Sequence, residues 1–436
     1  MLAAATALGA ASAHADDSLA TRLTASGGWT DNVLSAPNEQ GPMDPPIESD
    51  SFSQLSPGVL FTSETRRMIQ VASYTFTANL FVSHTEANSY SNDLAWNSIY
   101  SLSAVSELGL SAGASNGRIN TFNLQSAASD TGLDQLPNGG VSFVSADVSQ
   151  FLRRELTRAW RAQQRSAFRV FKPIGDSSSL GTNLSWNNTA GVQHSWQYDS
   201  LGLDMRADFT RFGTAVGTES NKQLTVGPNL RYLHDFTDSL SGELGAGAVL
   251  VVQADDFGQR IAQPVATAAV RYIREGGRAE VAYRHSVAPN LFVAQTTVND
   301  EVSLRAGLPV PFVDRAAISG SVGYQQGRIV DVQMGGLIGS TKLFLADVAA
   351  SWSPNESLAV SLRYQRFDQL RSQAATATSR SYARNQVLLS LSGRYPSRDA
   401  ATVPSRLDAR VDESNEQNLG QTDPSDHTAA DADARR

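Results

Sequence analysis

The chain has 436 residues, of which 41% are hydrophobic and 18% charged, and its formal net charge is −8. Composition does not shift before about residue 397, so one large repetitive unit is expected. Cysteine is absent, which excludes structural disulfides, thiolate nucleophiles and cysteine metal sites. Nine of the 43 acids lie in the last 40 residues, so the remainder is nearly neutral and nucleic-acid binding is not expected.

Residues 1–15 form an apolar segment of small side chains. The segment ends in Ala13-His14-Ala15, the small-x-small form that signal peptidase cuts. A basic n-region does not precede it, so an ordinary alanine-rich terminus is the alternative. We predict a signal segment over 1–15 and export, with the mature chain beginning near Asp16.

Beyond this segment, apolar and polar side chains alternate over about ten residues at a time, and a turn follows each stretch. In 200–212, Leu201 and Leu203 share one side, while Asp204 and Arg206 share the other. This pattern is typical of a strand with lipid on one face and water on the other. Because no apolar run approaches the roughly 18 residues of a spanning helix, we predict membrane crossing by strands.

The predicted connections alternate between short and long. Short turns are predicted near 63–67, 105–107, 153–157, 197–200, 235–239, 274–277, 308–315 and 353–356. Long loops are predicted near 30–53, 85–91, 121–139, 172–178, 213–220, 253–259, 288–299, 327–341 and 369–382. Bacterial barrels have short periplasmic turns, long extracellular loops and an even strand number. The sequence therefore predicts an all-β fold, a transmembrane antiparallel up-and-down β-barrel of about 18 strands over 16–396, in the bacterial outer membrane.

Aromatic side chains gather near the predicted strand ends, as girdles at the two membrane interfaces do, although chance and core packing are an alternative. They are Trp29, Trp96, Tyr100, Trp160, Tyr198, Tyr232, Tyr272, Tyr324, Trp352, Tyr364 and Tyr395. Residues 397–436 lack periodicity and large apolar groups. We predict that they form a disordered acidic tail in the periplasm, either a solvated extension or a partner-binding segment.

More arginines than acids fall on the predicted lumen side. The candidate path-lining residues are Arg161, Arg165, Arg169, Arg206, Arg231, Arg271, Arg278 and Arg284. Arg22, Arg305, Arg363 and Arg394 share that side with Asp147, Asp204, Asp208, Glu243, Glu280, Glu301 and Asp347. Guanidinium groups suit carboxylate, sulfate and phosphate, so the arginines favour an anion-selective or acidic-glycan conduit. The alternative is that they pair with acids across the lumen, such as Asp204, Asp208 or Glu280, and stiffen the wall.

The first three of these arginines form a ladder, because they lie four residues apart on one face of 161–169. A barrel of this size encloses an aqueous channel unless loops fold inward, and the loops at 30–53 and 121–139 are the candidates for narrowing it.

The sequence offers no catalytic constellation. Its histidines in the predicted barrel lie on scattered strands or loops, and they are His84, His194, His234 and His285. None is paired by spacing with a nucleophile or an acid, so no enzymatic activity is expected. The loop acids Asp130, Asp255 and Asp256 lack the spacing of a calcium loop, and we predict neither a metal nor a cofactor.

Three stretches carry a resemblance to a family: LTASGGWTDNVLSAP (23–37), GPNLRYLHDFTDSLSGELGAGA (227–248) and ASWSPNESLAVSLRYQRFDQ (350–369). They resemble the outer-membrane β-barrel porins associated with exopolysaccharide secretion, in which an aromatic residue precedes Thr-Asp-Asn at the first extracellular loop. The resemblance implies an 18-strand porin that is the exit for a secreted polysaccharide and works with a periplasmic or inner-membrane export protein. No residue-level site transfers, and the tail after Tyr395 departs from barrels that end on their last strand.

Three functions remain open from the sequence. The first is a polysaccharide-export conduit, with outer-membrane lipid, an acidic polysaccharide and a periplasmic export protein as partners. The second is a general or anion-preferring diffusion porin, and the third is a structural or adhesive barrel closed by its loops. Neighbouring polymerase, flippase and glycosyltransferase genes would favour export over diffusion.

Overall fold

The computed structural model describes residues 16–34, 36, 38, 46–119, 141–174, 181–213, 221–254, 256–274, 276–290, 295–332, 336–371 and 381–395. These residues form an antiparallel sheet of 18 strands, which confirms the predicted fold class and strand number. The predicted signal segment, the acidic tail and the 121–139 loop lie outside the described residues.

The strands follow one another in chain order. They are β1 Asp16–Thr30, β2 Asp50–Glu64, β3 Met68–Phe81, β4 Ser89–Ser103, β5 Ser106–Ile119, β6 Val141–Glu155, β7 Trp160–Ile174, β8 Asn183–Ser195, β9 Asp199–Phe212, β10 Asn221–Thr237, β11 Leu240–Gln253, β12 Asp256–Arg274, β13 Gly277–Asn290, β14 Gln295–Pro309, β15 Ala316–Asp331, β16 Gly336–Asn355, β17 Leu358–Arg371 and β18 Tyr382–Tyr395. A one-turn 3₁₀ helix, Thr85–Ala87, lies between β3 and β4. In the ranges given above, no helix has the length and apolar character needed to cross a membrane.

The sheet closes on itself. Each strand pairs with the next one along the chain, and β18 pairs with β1 between residues 386–395 and 21–30. Closure gives each described strand a hydrogen-bonded neighbour on both sides. This pairing is the condition for burying a sheet in lipid, where nothing else would satisfy backbone N–H and C=O groups.

The outer surface of the cylinder is apolar. On β9, Leu201, Leu203 and Met205 are 39%, 48% and 50% exposed, whereas Asp208 and Thr210 on the opposite side are buried. The same alternation places exposed leucine, valine and aromatic side chains outward on the other strands. A closed antiparallel barrel with an apolar outer belt is an integral protein of the bacterial outer membrane.

The connections after the even-numbered strands β2 to β16 are short, as predicted. In the turn before β13, Gly276 has a φ of +78°, a left-handed conformation that glycine adopts without steric cost. By the usual arrangement of bacterial barrels, this end is periplasmic and the opposite end extracellular.

Three of the predicted long loops are wrong. The ranges 253–259, 288–299 and 327–341 are mostly strand, because β11 to β16 extend past the membrane belt into short connections. The loop acid Asp256 is accordingly the first residue of β12. Valines such as Val287, Val298 and Val330 lie in these extensions and are buried there, so apolar packing and strand pairing keep the chain extended.

Candidate functional site

The arginine ladder lies on the lumen side of β7. Arg161, Arg165 and Arg169 share that side with Gln163, whose Nε2 donates a hydrogen bond of 3.3 Å to Oδ1 of Asp204 across β8. Trp160 and Phe168 occupy the other side and are exposed to lipid. The ladder therefore faces water inside the barrel, where the alternation had placed it.

Acids of the neighbouring strand β6 are in register with the two outer rungs of the ladder. The residues in register with it on β6 are Glu155 for Arg161, Phe151 for Arg165 and Asp147 for Arg169. On β8, Thr189 is in register with Arg165. The middle rung thus has no acid directly opposite it on either adjacent strand.

Three other predicted arginines form ion pairs with acids of the same strand or an adjacent strand, and not across the lumen. Arg206 pairs with Asp208, and Nη2 of Arg231 lies 3.7 Å from Oδ2 of Asp204. Arg271 bridges two acids, with Nε 2.7 Å from Glu280 and Nη2 3.3 Å from Glu243. The Arg206 pair lies within β9, the Arg231 pair joins β9 to β10, and the Arg271 pairs join β11, β12 and β13; together they neutralise much of the charge there.

The last two predicted arginines lie on β13. Arg278 is exposed near the periplasmic turn, and Arg284 is in register with Glu301 of β14. Glu280 lies between them on the same side and is in register with Arg305. Basic and acidic side chains therefore alternate across β12 to β14. We call the lumen faces of β6 to β14 the charged wall.

The predicted set of charged lumen-side residues is incomplete. Those it lacks include Asp93, Glu107, Arg153, Glu155 and Arg384. Glu107 and Arg153 fell in predicted turns, but β5 begins at Ser106 and β6 ends at Glu155, so the alternation continues through both. Asp93 accepts hydrogen bonds from Ser115 at 2.6 Å and Ser91 at 2.9 Å. Extending the parity test to the strand ends would have found these residues.

Across the lumen from the charged wall, the faces of β1 to β3 and β18 carry short hydroxyl side chains. Hydrogen-bonded pairs join Thr24 to Ser392 at 2.9 Å, Ser26 to Ser390 at 2.9 Å, Ser56 to Thr77 at 3.2 Å, and Ser18 to Thr62. Arg22 and Arg394 lie in register with each other nearer the periplasmic end. We call these faces the hydroxyl wall.

The loop after β1 covers the extracellular end of the hydroxyl wall. Its Val33 packs with Phe52 and Phe81, which are buried on the lumen side of β2 and β3. Nδ2 of Asn32 donates a 2.9 Å hydrogen bond to the carbonyl oxygen of Ala383 on β18. The described part of the predicted 30–53 loop therefore folds inward and narrows the opening.

Apolar packing narrows the extracellular end of the charged wall as well. Pairing between β12 and β13 stops at Ala266 and His285, although both strands continue beyond this pair. Val249 and Val251, on the lumen side of β11, cluster with valines from β13, β14 and β15. These valines are Val287, Val298 and Val330.

The valines of β13 to β15 belong to the side that faces lipid lower in the same strands. Because they contact the lumen side of β11, the extracellular ends of β13 to β15 lie inside the curve of β10 to β12. A buried hydrogen bond from Thr296 of β14 to Gln223 on the lumen side of β10 agrees with this placement. The opening is thus narrowed from opposite sides of the ring.

At the extracellular rim, His84 joins the loop after β3 to the loop after β1. Its Nδ1 lies 3.1 Å from Oδ2 of Asp50, and its Nε2 contacts Oε2 of Glu48. The hydrogen bond with Glu48, together with Asp50, raises the pKa of His84 above its ordinary value. Among the described residues, no group of three or more His, Asp or Glu side chains could hold a metal ion.

No protein-family model matches the sequence, and no curated protein matches it either. Solved structures are similar in architecture. OccK2 (OpdF) of Pseudomonas aeruginosa is 10% identical, with 86% of this chain and 98% of that chain covered and a TM-score of 0.46. OccAB3 of Acinetobacter baumannii is 9% identical, with 86% of this chain and 99% of that chain covered and a TM-score of 0.45. The alcaligin outer-membrane receptor FauA of Bordetella pertussis is 11% identical, with 87% of this chain and 76% of that chain covered and a TM-score of 0.43.

Proposed function

We propose that the protein is a non-enzymatic outer-membrane conduit that passes an acidic polysaccharide outward. The proposal depends mainly on one observation, the ladder of Arg161, Arg165 and Arg169 on the lumen side of β7. Four residues of strand span roughly 13 Å, so the rungs offer successive cationic sites along the path. Several weak sites in a row let a polyanion enter and still leave.

The charged wall and the hydroxyl wall have different roles in such a conduit. The charged wall supplies guanidinium donors for carboxylate groups, and pairs such as Arg271 with Glu280 hold neighbouring strands together. The hydroxyl wall supplies short neutral groups that exchange hydrogen bonds with sugar hydroxyls and leave the lumen wide. The resemblance to exopolysaccharide-associated porins agrees with this cargo, and a periplasmic export protein would deliver it at the short turns.

Two other functions are each favoured by a specific observation. A general or anion-preferring diffusion porin would use the same ladder for any small anion. A loop-closed structural or adhesive barrel would account for the inward-packed valines and for Val33 on Phe52 at the rim.

The ladder is tested by replacing Arg161, Arg165 and Arg169 together with glutamine. We expect the anion-to-cation permeability ratio in planar bilayers to fall by about tenfold, because the ladder no longer concentrates anions. The matched control replaces the exposed periplasmic-turn arginines Arg66, Arg67 and Arg158, which removes the same charge away from the lumen. Equal selectivity in both variants would refute the role of the ladder.

The cargo is tested separately in a deletion strain. Surface polysaccharide should be lost on deletion, return with the wild-type gene, and return only weakly with the ladder variant. An anion-selective pore whose deletion leaves surface polysaccharide unchanged would identify the diffusion porin. A barrel without measurable conductance, whose deletion also leaves the polysaccharide unchanged, would identify the closed barrel.

A further inference from the structure

Four polar side chains on the lipid-facing side of β6, β7 and β8 bond to one another. Nε2 of Gln150 donates to Oε1 of Gln164 at 2.6 Å, and Nε2 of Gln164 donates to Oγ of Ser166 at 2.9 Å and to Oδ1 of Asn188 at 2.8 Å. Oγ of Ser166 also donates to Oδ1 of Asn188 at 2.8 Å. We call Gln150, Gln164, Ser166 and Asn188 the amide patch.

The amide patch lies in the middle of the membrane belt. Its β7 members alternate with the lumen-facing arginines, so they point to lipid. On the same side of β7, Trp160 and Lys172 stand near the two ends, and Ser166 lies six residues from each. This distance is about 20 Å along a tilted strand on either side, which places the patch among lipid chains and away from headgroups.

The patch keeps hydrogen-bonding capacity that its own members do not use. Among the described residues, Nδ2 of Asn188 and Oε1 of Gln150 take part in no hydrogen bond, and neither atom is buried. Lipid chains have no donors or acceptors, so exposing these groups to them is unfavourable. A covering surface with amide groups of its own would satisfy them.

The surroundings of the patch allow close approach. Ala190 is in register with Gln164, and Ala207 is in register with Asn188. Phe168 and Trp186 are exposed on the extracellular side of these positions. Small side chains beside hydrogen-bonding ones are a combination that lets two membrane-embedded surfaces meet.

We propose that the amide patch is the surface through which two copies of this chain associate in the membrane. Carboxamides carry both a donor and an acceptor, so a patch of them is complementary to itself. A twofold axis along the membrane normal brings the same patch of each copy together, with β7 at the centre of the contact. Each copy then covers the unused amide groups of the other.

Because the chain has no cysteine, single-cysteine variants test the contact directly. Ser166→Cys places a thiol near the expected axis. Ala346→Cys is the matched control, since Ala346 lies six residues from Trp352 on β16, nine strands away, as Ser166 lies six residues from Trp160 on β7. In full-length protein in vesicles with a membrane-permeable oxidant, we expect Ser166→Cys to form disulfide-linked dimers about tenfold more than Ala346→Cys, because contact raises the effective thiol concentration.

A second variant tests the amides themselves. Gln164→Leu with Asn188→Leu should lower the dimer fraction of the full-length protein in native mass spectrometry, while heat-modifiable gel mobility shows that the barrel still folds. Equal cross-linking of Ser166→Cys and Ala346→Cys would overturn the proposal. So would a monomeric wild-type protein in the mass spectrum, or cross-linking of Ser166→Cys in native membranes to a different protein.

Discussion

The hydroxyl wall and the charged wall share one strand geometry but are held by different interactions. Pairs such as Ser26 with Ser390 are short and neutral, and each contributes about 1 kcal/mol. Pairs such as Arg271 with Glu280 use long side chains that reach between strands and carry a field into the lumen. A solute therefore meets ion-paired side chains along the charged wall. Along the hydroxyl wall it meets neutral groups, with Arg22 and Arg394 nearer the periplasmic end. The two walls should respond differently to mutation.

The largest of the predicted effects comes from crowding beside an ion pair of the charged wall. A Cβ at Gly191 of β8 would lie 1.9 Å from Oδ1 of Asp204 and 2.8 Å from the carbonyl oxygen of Leu203. Gly191→Ala should therefore displace Asp204 from Arg231 and lower the free energy of unfolding by about 2 kcal/mol. Urea titration of the barrel in vesicles measures this change.

The matched control for this change is Gly323→Ala. Gly323 lies on the lumen side of β15, and a Cβ there would meet nothing within 4 Å. The free energy of unfolding should change by no more than about 0.5 kcal/mol. If both substitutions lower the free energy of unfolding by the same amount, crowding around Asp204 is not the cause of the loss in Gly191→Ala.

A smaller effect is expected from removing one bridging charge. Arg271→Ala leaves the carboxylates of Glu243 and Glu280 without their shared partner, and we expect a loss of about 1–2 kcal/mol because all three side chains are partly exposed. Ser26→Ala on the hydroxyl wall should cost about 0.5 kcal/mol. The same urea titration compares them, and a larger loss for Ser26→Ala would reverse the proposed difference between the walls.

The alternation along the chain predicts much of this architecture. The lumen side of Arg161, Arg165 and Arg169 follows from a two-residue period, and the strand number follows from the alternation of short and long connections. Both need only local sequence. Strand ends are harder to place, because Ser, Asn and Gly in an extracellular extension resemble a loop. The extensions through Val287 and Val298 are set by contacts with β11, which is distant in sequence.

Local sequence also does not determine which acids each lumen-facing arginine pairs with. Periodicity shows that Arg271 faces inward, but the register between strands decides that it reaches Glu243 and Glu280 together. The amide patch could not be predicted from local sequence for a similar reason. Gln150, Gln164 and Asn188 come from three strands, and each alone looks like an isolated break in an apolar face.

The smallest predicted effect concerns the extracellular rims of the hydroxyl wall and the charged wall. Above the hydroxyl wall, the contact of His84 with Glu48 and Asp50 depends on ionisation, whereas valines pack the rim above the charged wall. Since the pKa of His84 is raised above its ordinary 6.5, this contact is fully present below about pH 6.5 and is lost as the pH rises through the raised value.

Hydrogen exchange of the full-length barrel, corrected for intrinsic rates, can compare the two rims. Above the raised pKa, amides of 46–52 and 82–88 should exchange on the order of threefold faster than at pH 5, a modest factor because Glu48 is 44% exposed and its ion pair is screened by solvent. Amides around Val287 and Val298 should not change, and His84→Gln should remove the pH dependence of the first rim. Acceleration at both rims, or its persistence in His84→Gln, would show that His84 does not hold the loop.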